Sequence, residues 1–136
     1  MLSEHGAAER FAIRSGGIAY YARDGALASL DARLALEEIG IEISPTTVST
    51  DLKRNRHLVD AADVIFAMTD EQVAMVASGF PEARGKPVYT LKEYAGRAGN
   101  IEDPQGQDES VFTACRDEIA DCWQRSLDRL IHRVGF

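Results

Sequence analysis

Cysteine, proline and tryptophan are all scarce: the 136 residues hold two cysteines, four prolines and one tryptophan. Cys115 and Cys122 are too few for a disulfide framework and fit a reducing compartment, so a cytoplasmic location is expected. Positive charge is in deficit, with 15 Lys and Arg against 22 Asp and Glu and a net charge of −7. That argues against a nucleic-acid surface, because phosphate backbones are bound through Lys and Arg. No apolar run approaches membrane-spanning length, and Met1-Leu2-Ser3-Glu4-His5-Gly6 lacks a signal-peptide core. His5, His57 and His132 show no ligand spacing, so neither a metal nor a cofactor is expected. Repeats, low-complexity tracts and linker-like segments are also lacking. What remains is 45% hydrophobic and 27% charged, the makeup of one globular domain over residues 1–136.

Periodicity divides that domain into short elements. Met1 to His5 reads as the last turns of a helix stopped by Gly6, with nothing before it to begin that helix. Phe11-Ala12-Ile13-Arg14 reads as a short strand ending in Ser15-Gly16-Gly17, with Tyr20 and Tyr21 in the loop beyond. Ser29 is placed to cap a helix over 30–39, with Leu30, Leu34 and Ile39 as its apolar stripe and Gly40 as its stop. Thr50 is placed to cap a second helix over 51–61. The unbroken run Val64-Ile65-Phe66-Ala67-Met68 predicts a strand buried on both faces. Thr69 with Gln72 forms a capping box that opens a helix to Ser78, and Gly79 and Pro81 end it. Val88-Tyr89-Thr90-Leu91 predicts another strand. Asp108 is placed to cap a long helix to Val134, with Phe112, Cys115, Ile119, Cys122, Trp123 and Leu127 at helical spacing.

Short buried strands alternating with helices predict an α/β fold around a parallel sheet. In such sheets the binding crevice lies at the carboxyl ends of the strands. Ser15-Gly16-Gly17, Thr69-Asp70 and the loop before Asp103 all leave strand ends. Asp103 stands out among them because Pro104 follows it at once, which pushes the aspartate towards extended geometry. A pinned, loop-borne carboxyl suits a general acid, for which fixed geometry comes before pKa. It equally suits a simple turn closed by Gly106.

The order of several short motifs decides between them. Arg14-Ser15-Gly16-Gly17, Glu37-Glu38-Ile39-Gly40-Ile41-Glu42-Ile43-Ser44, Ala62 to Thr69, Phe80-Pro81 and Asp103-Pro104 together resemble the low-molecular-weight protein phosphatase family over residues 2–131. Val88 to Tyr94 further resembles the bacterial branch that includes protein arginine phosphatases. The resemblance implies a three-layer α/β/α sandwich with a small parallel sheet, and a phosphorylated protein as substrate. In that family a Cys-x5-Arg loop supplies a thiolate that attacks phosphorus while loop amides and the Arg cradle the phosphoryl oxygens. By the same match Asp103 is the general acid and base, and Ser15 corresponds to a residue bracing the phosphate loop. Tyr20 and Tyr21 would wall the substrate cleft, beside Pro104 and Gln105. Gln105 stands where the family usually has an aromatic residue.

The first central strand of that sheet and its Cys-x5-Arg loop have no counterpart in the 136 residues, so the domain reads as N-terminally truncated. Neither cysteine replaces the nucleophile, since Asp121 lies six residues after Cys115 and Asp128 six after Cys122. The chain as given is therefore expected to be inactive, with exposed strand edges that invite self-association. The alternatives are a non-catalytic binding module that keeps the cleft, and an arsenate reductase-like protein using its cysteine pair. Cys115 and Cys122 are seven apart on one helix and are expected to pack. Lys53-Arg54-Asn55-Arg56-His57 reads as a solvated face, though it would suit a phosphoprotein partner.

Overall fold

The computed structural model describes residues 12–27, 30–42, 47–104 and 107–133. Strand β1 (Ile65–Ala67) forms from the middle of the apolar run and pairs in parallel with β2 (Val88–Thr90). The register places Ile65 opposite Val88, Phe66 opposite Tyr89 and Ala67 opposite Thr90. Parallel neighbours need a crossover, and here it is α3 (Asp70–Gly79) followed by a 3-10 turn, Pro81–Ala83. The Thr69 half of the capping box forms as the sequence predicts, and Gln72 reaches one residue past the cap. Thr69 Oγ1 accepts from the Gln72 amide at 3.1 Å, while Gln72 Oε1 accepts from the Met68 amide at 3.0 Å.

Side chains alternate across a strand, and this alternation sends β1 into two cores. Ile65 and Val88 pack on one side against Val59, Val76, Phe80 and Ala83. Phe66 packs on the other with Leu91, Ile101, Cys122 and Trp123. The first core belongs to α2 (His57–Ala61) and α3, the second to α4 (Leu91–Tyr94) and α5 (Glu109–Arg133). Helices therefore cover both faces of a small parallel sheet, which makes this an α/β sandwich. Lys86 closes α2, its Nζ donating to the carbonyls of Val59, Asp60 and Ala62 at the helix end. Arg56 joins α2 to the 3-10 turn through a two-pronged bond to Glu82, Nε–Oε2 2.7 Å and Nη2–Oε1 2.9 Å.

Three sequence expectations need correction. Ala12, Ile13 and Arg14 are irregular and exposed, and no named strand contains them; Phe11 lies outside the described residues. A strand needs a neighbour for its backbone groups, and along this stretch the pairing is one parallel bridge, Gly17 with Asp51. The helix expected over 51–61 begins only at His57. The Asp51 amide instead donates to Asp24 Oδ1 at 2.7 Å, the Asp51 carboxylate turns to Lys53, and Asn55 reaches back to the Asp51 carbonyl. Those local bonds compete with the helical ladder. Finally, α1 (Leu30–Glu37) exposes the stripe expected to be its core face: Leu30 is 65% exposed, Leu34 48% and Ile39, just beyond, 44%. The buried residue is Ala35. Its small side chain lets α5 come close enough for Arg116 Nη1 to donate to the Ala35 carbonyl at 2.7 Å and to Glu38 Oε2 at 2.6 Å. The expected cap Ser29 and the region of Ile43, Ser44 and Pro45 lie outside the described residues.

Candidate functional site

Asp103 is held at the carboxyl end of β1 by the residues just before it. Ile101 is buried in the second core, and its amide donates to the Met68 carbonyl at 2.8 Å. Asn100 Oδ1 accepts from the Asp70 amide at 2.9 Å, in the first turn of α3. Beyond the anchor, Glu102 and Asp103 are exposed and Pro104 is half-buried. A turn closed by Gln107 N to Pro104 O, 2.9 Å, leads to Asp108. Asp108 caps α5, accepting from Ser110 Oγ at 2.6 Å and the Val111 amide at 3.3 Å. The Ser110 hydroxyl, first, and the Val111 amide hold its carboxyl below the usual aspartate range.

A cavity of about 680 Å³ opens beside this loop. One wall is Asp103 and Pro104 with Phe112, Cys115, Arg116 and Ile119 of α5. A second is Ala32, Ala35 and Leu36 of α1, fixed by Arg116. The third is the 17–27 segment, represented by Gly17, Tyr21, Arg23 and Leu27. That segment carries no helix or strand and is strapped down by residues 49–53. Gly17 N donates to Thr50 O at 2.8 Å, and Leu52 N to Gly17 O at 3.0 Å. Ser49 Oγ donates to Arg23 O at 2.6 Å, and Lys53 Nζ to Ala19 O at 2.5 Å. Glycine is needed at the crossing: a Cβ on Gly16 would lie 2.7 Å from the Leu52 side chain, and one on Gly17 2.9 Å from Ala22 Cβ.

The sequence-predicted residues thus divide. Asp103, Pro104 and Tyr21 share the cavity with Gly17, whereas Ser15 and Tyr20 do not line it. Tyr20 is 91% exposed and meets Tyr21 edge to face, ring centroids 5.3 Å apart. Gln105 lies outside the described residues. Arg116, Asn100 and the 49–53 strap were not singled out by sequence reasoning. A lone Asn after glycine, or one Arg in a charged helix, carries no signal until its partner is seen.

The cysteines can be judged by environment. Cys115 is half-buried on the cavity wall, its Sγ 3.8 Å from the Glu102 carbonyl. Burial first, then Glu118 and Asp103, pushes its thiol pKa up. Cys122 is fully buried and shifted upward too, again mainly by burial. A nucleophilic cysteine needs the opposite environment, electropositive and accessible. Lys53 and Arg56 of the basic run are committed to Asp51 and Glu82. Among the described residues no group of three or more His, Cys, Asp or Glu could hold a metal ion, and no helix is long and apolar enough to cross a membrane.

A parallel sheet between helices, with an Asp-Pro loop anchored at the carboxyl end of β1 and a cavity beside that loop, defines the class as an α/β domain with a candidate crevice. The sequence model of the low molecular weight phosphotyrosine protein phosphatase family matches residues 1–134, and the chain belongs to that family. Within it the chain is similar to the protein-arginine-phosphatase of Geobacillus stearothermophilus, 35% identical over 123 residues, covering 90% of this chain and 76% of that one. The solved structure of the YwlE arginine phosphatase from Geobacillus stearothermophilus superposes with a TM-score of 0.73 at 34% identity, over 85% of this chain and 73% of that one. The low molecular weight protein-tyrosine-phosphatase Ptp of Acinetobacter johnsonii is 35% identical over 81 residues, 60% of this chain and 53% of its own length.

Proposed function

We propose that residues 1–136 form, as one domain, the cleft-bearing body of a cytoplasmic protein phosphatase acting on phosphoarginine or phosphotyrosine side chains. The observation that carries this reading is the placement of Asp103 and Pro104 on one cavity wall, facing Gly17 and Tyr21. The names of the relatives favour phosphoarginine. Asp103 is the proton donor in this reading. As a thiolate attacks phosphorus and the bond to the leaving nitrogen or oxygen breaks, Asp103 gives that atom its proton. It then takes a proton from the water that hydrolyses the cysteinyl phosphate.

In this reading the thiolate does not come from Cys115 or Cys122, whose pKa burial raises rather than lowers and which no Arg follows at the required spacing. The 136-residue chain by itself is therefore proposed to be inactive, and chemistry to require a Cys-x5-Arg segment. Without the Arg and the loop amides the phosphoryl charge has no electrostatic cradle, usually the largest contribution to such catalysis. The same buried thiols favour a second reading, a non-catalytic module that binds through the cleft. Self-association through exposed strand edges belongs to the first reading, and sedimentation tests it.

The deciding experiment assays the chain, and a version preceded by a strand and Cys-x5-Arg loop, on para-nitrophenyl phosphate and a phosphoarginine peptide. Turnover is expected only in the extended protein and is expected to be lost on thiol alkylation. An extended protein that folds and stays inert supports the binding module. Alkylation-resistant turnover by the short chain overturns the mechanism.

A further inference from the structure

We propose that Asn100 is a positioning residue for the Asp103 loop. The inference rests on the reading of Asp103 as proton donor, and asks what keeps that carboxyl in place. Between α4 and α5 the described chain has no helix or strand. Gly96 and Gly99 take positive φ of 80° and 95°, a conformation glycine adopts without steric cost, so the stretch turns twice before Asn100. A loop so built needs attachments from outside. Two are available from the β1–α3 junction: the Ile101 amide on the Met68 carbonyl, and Asn100 Oδ1 under the Asp70 amide.

These attachments do different things. Ile101 is buried and fixes the depth of the loop against the second core. One backbone bond and one buried side chain hold the loop at that point, with Cys115 Sγ against the Glu102 carbonyl just beyond it. The Asn100 bond, one residue away, fixes how the segment turns about the Ile101 anchor. It also meets an amide of the first turn of α3 that the helix itself leaves unpaired. Thr69 Oγ1 serves the Gln72 amide of the same turn, so Asn100 adds to the cap from another part of the chain. Asp103 lies three residues from Asn100, about 10 Å of extended chain at most. Slack at Asn100 therefore reaches the stretch of loop that carries Asp103.

The molecule carries its own reporter of this loop. Cys115 Sγ lies 3.8 Å from the Glu102 carbonyl, on the same cavity wall as Asp103, whereas Cys122 is fully buried elsewhere in α5. Loosening the loop beyond the Ile101 anchor uncovers Cys115, while Cys122, packed with Ile101 in the second core, stays covered as long as that anchor holds.

The test is iodoacetamide labelling of the 136-residue chain under native conditions, with the two thiols resolved by peptide mass spectrometry. Rates are read across a pH profile to separate thiolate fraction from access. Asn100→Ala is expected to speed labelling of Cys115 about two- to tenfold, the factor one ordinary hydrogen bond contributes to a local opening equilibrium. Cys122 is expected to stay unlabelled. Asn100→Asp keeps the acceptor oxygen and suits the helix N-terminus, so its Cys115 rate is expected to match the parent within about twofold, well inside the range of that one bond. An unchanged Cys115 rate in Asn100→Ala overturns the proposal. So does a parallel rise at both thiols, which would make Asn100 a support of the whole domain, and so does an Asn100→Asp variant as fast as Asn100→Ala. Phosphatase assays decide the role of Asp103 and labelling decides what places it, so either can fail alone.

Discussion

Residues 12–48 and residues 49–133 are held by different forces. Of the ten large hydrophobic residues left exposed among the described residues, nine lie between Ile13 and Val48. Among the described residues, Ala35 is the one buried hydrophobic residue there. The later part is a packed α/β unit with an apolar core on each face of its sheet. The earlier part is pinned to it mainly by hydrogen bonds, Gly17, Arg23 and Ala26 to residues 49–50 and α1 to Arg116, with Ile18 packed against the first core. Burial of apolar surface is the dominant favourable contribution to folding, whereas one hydrogen bond contributes about 1 kcal/mol net. The candidate cavity lies where the two parts meet, so two of its three walls belong to the part with little buried apolar surface.

The largest test of that contrast is truncation on each side. Leu127→Ala, at a fully buried site in α5, is expected to lower stability by about 2–5 kcal/mol through lost burial and a cavity. Leu34→Ala in α1, half exposed, is expected to stay within about 0.5 kcal/mol. Urea unfolding followed by the Trp123 signal measures both. Equal losses would mean that the two parts share one core.

This contrast also explains what the sequence disclosed. The run Val64 to Met68, the Thr69–Gln72 box and the Asp108 cap are decided within a few residues, and each forms close to its predicted place. The helix start at Asp51 is decided by Asp24, 27 residues away, and becomes a turn. The inward face of α1 is chosen by Arg116, 81 residues from Ala35, against the pull of Leu30 and Leu34. In the candidate site, Asp103 was legible because the following proline is a local constraint. Asn100 and Arg116 act through partners on other elements, which no spacing rule encodes.

A smaller effect is expected from Arg116→Met, which keeps the aliphatic stem and removes the bonds to Ala35 and Glu38. Amide exchange in α1 should accelerate several-fold while α3 and the middle of α5 keep their protection, since loosely held segments open independently of the core. Uniform acceleration would show that α1 is part of the core unit.

The smallest effect concerns acid. The Lys53 ammonium, first, and the Lys53 amide hold the Asp51 carboxyl below its ordinary value of 3.8. A folded-state pKa below the unfolded one adds stability above the unfolded value and loses it as pH falls through the folded one. The Asp51 contribution is therefore full at neutral pH and fades below about pH 4, near the unfolded aspartate value. Asp51→Asn should flatten the acid limb of the stability profile, with first loosening at Gly17 and Leu52. An unchanged limb would show that the Asp51–Lys53 pair does not hold this strap.

The central claim, that Asp103 donates the proton, is tested most directly by leaving-group dependence in the protein bearing a Cys-x5-Arg segment. A leaving group that departs readily as an anion needs little protonation, and a basic one needs much. Asp103→Asn is therefore expected to cost little with para-nitrophenyl phosphate. With phenyl or alkyl phosphates and phosphoarginine the cost should grow towards the 10²–10⁴-fold that positioned acids supply. A deficit that is the same for every leaving group, or none at all, would contradict it.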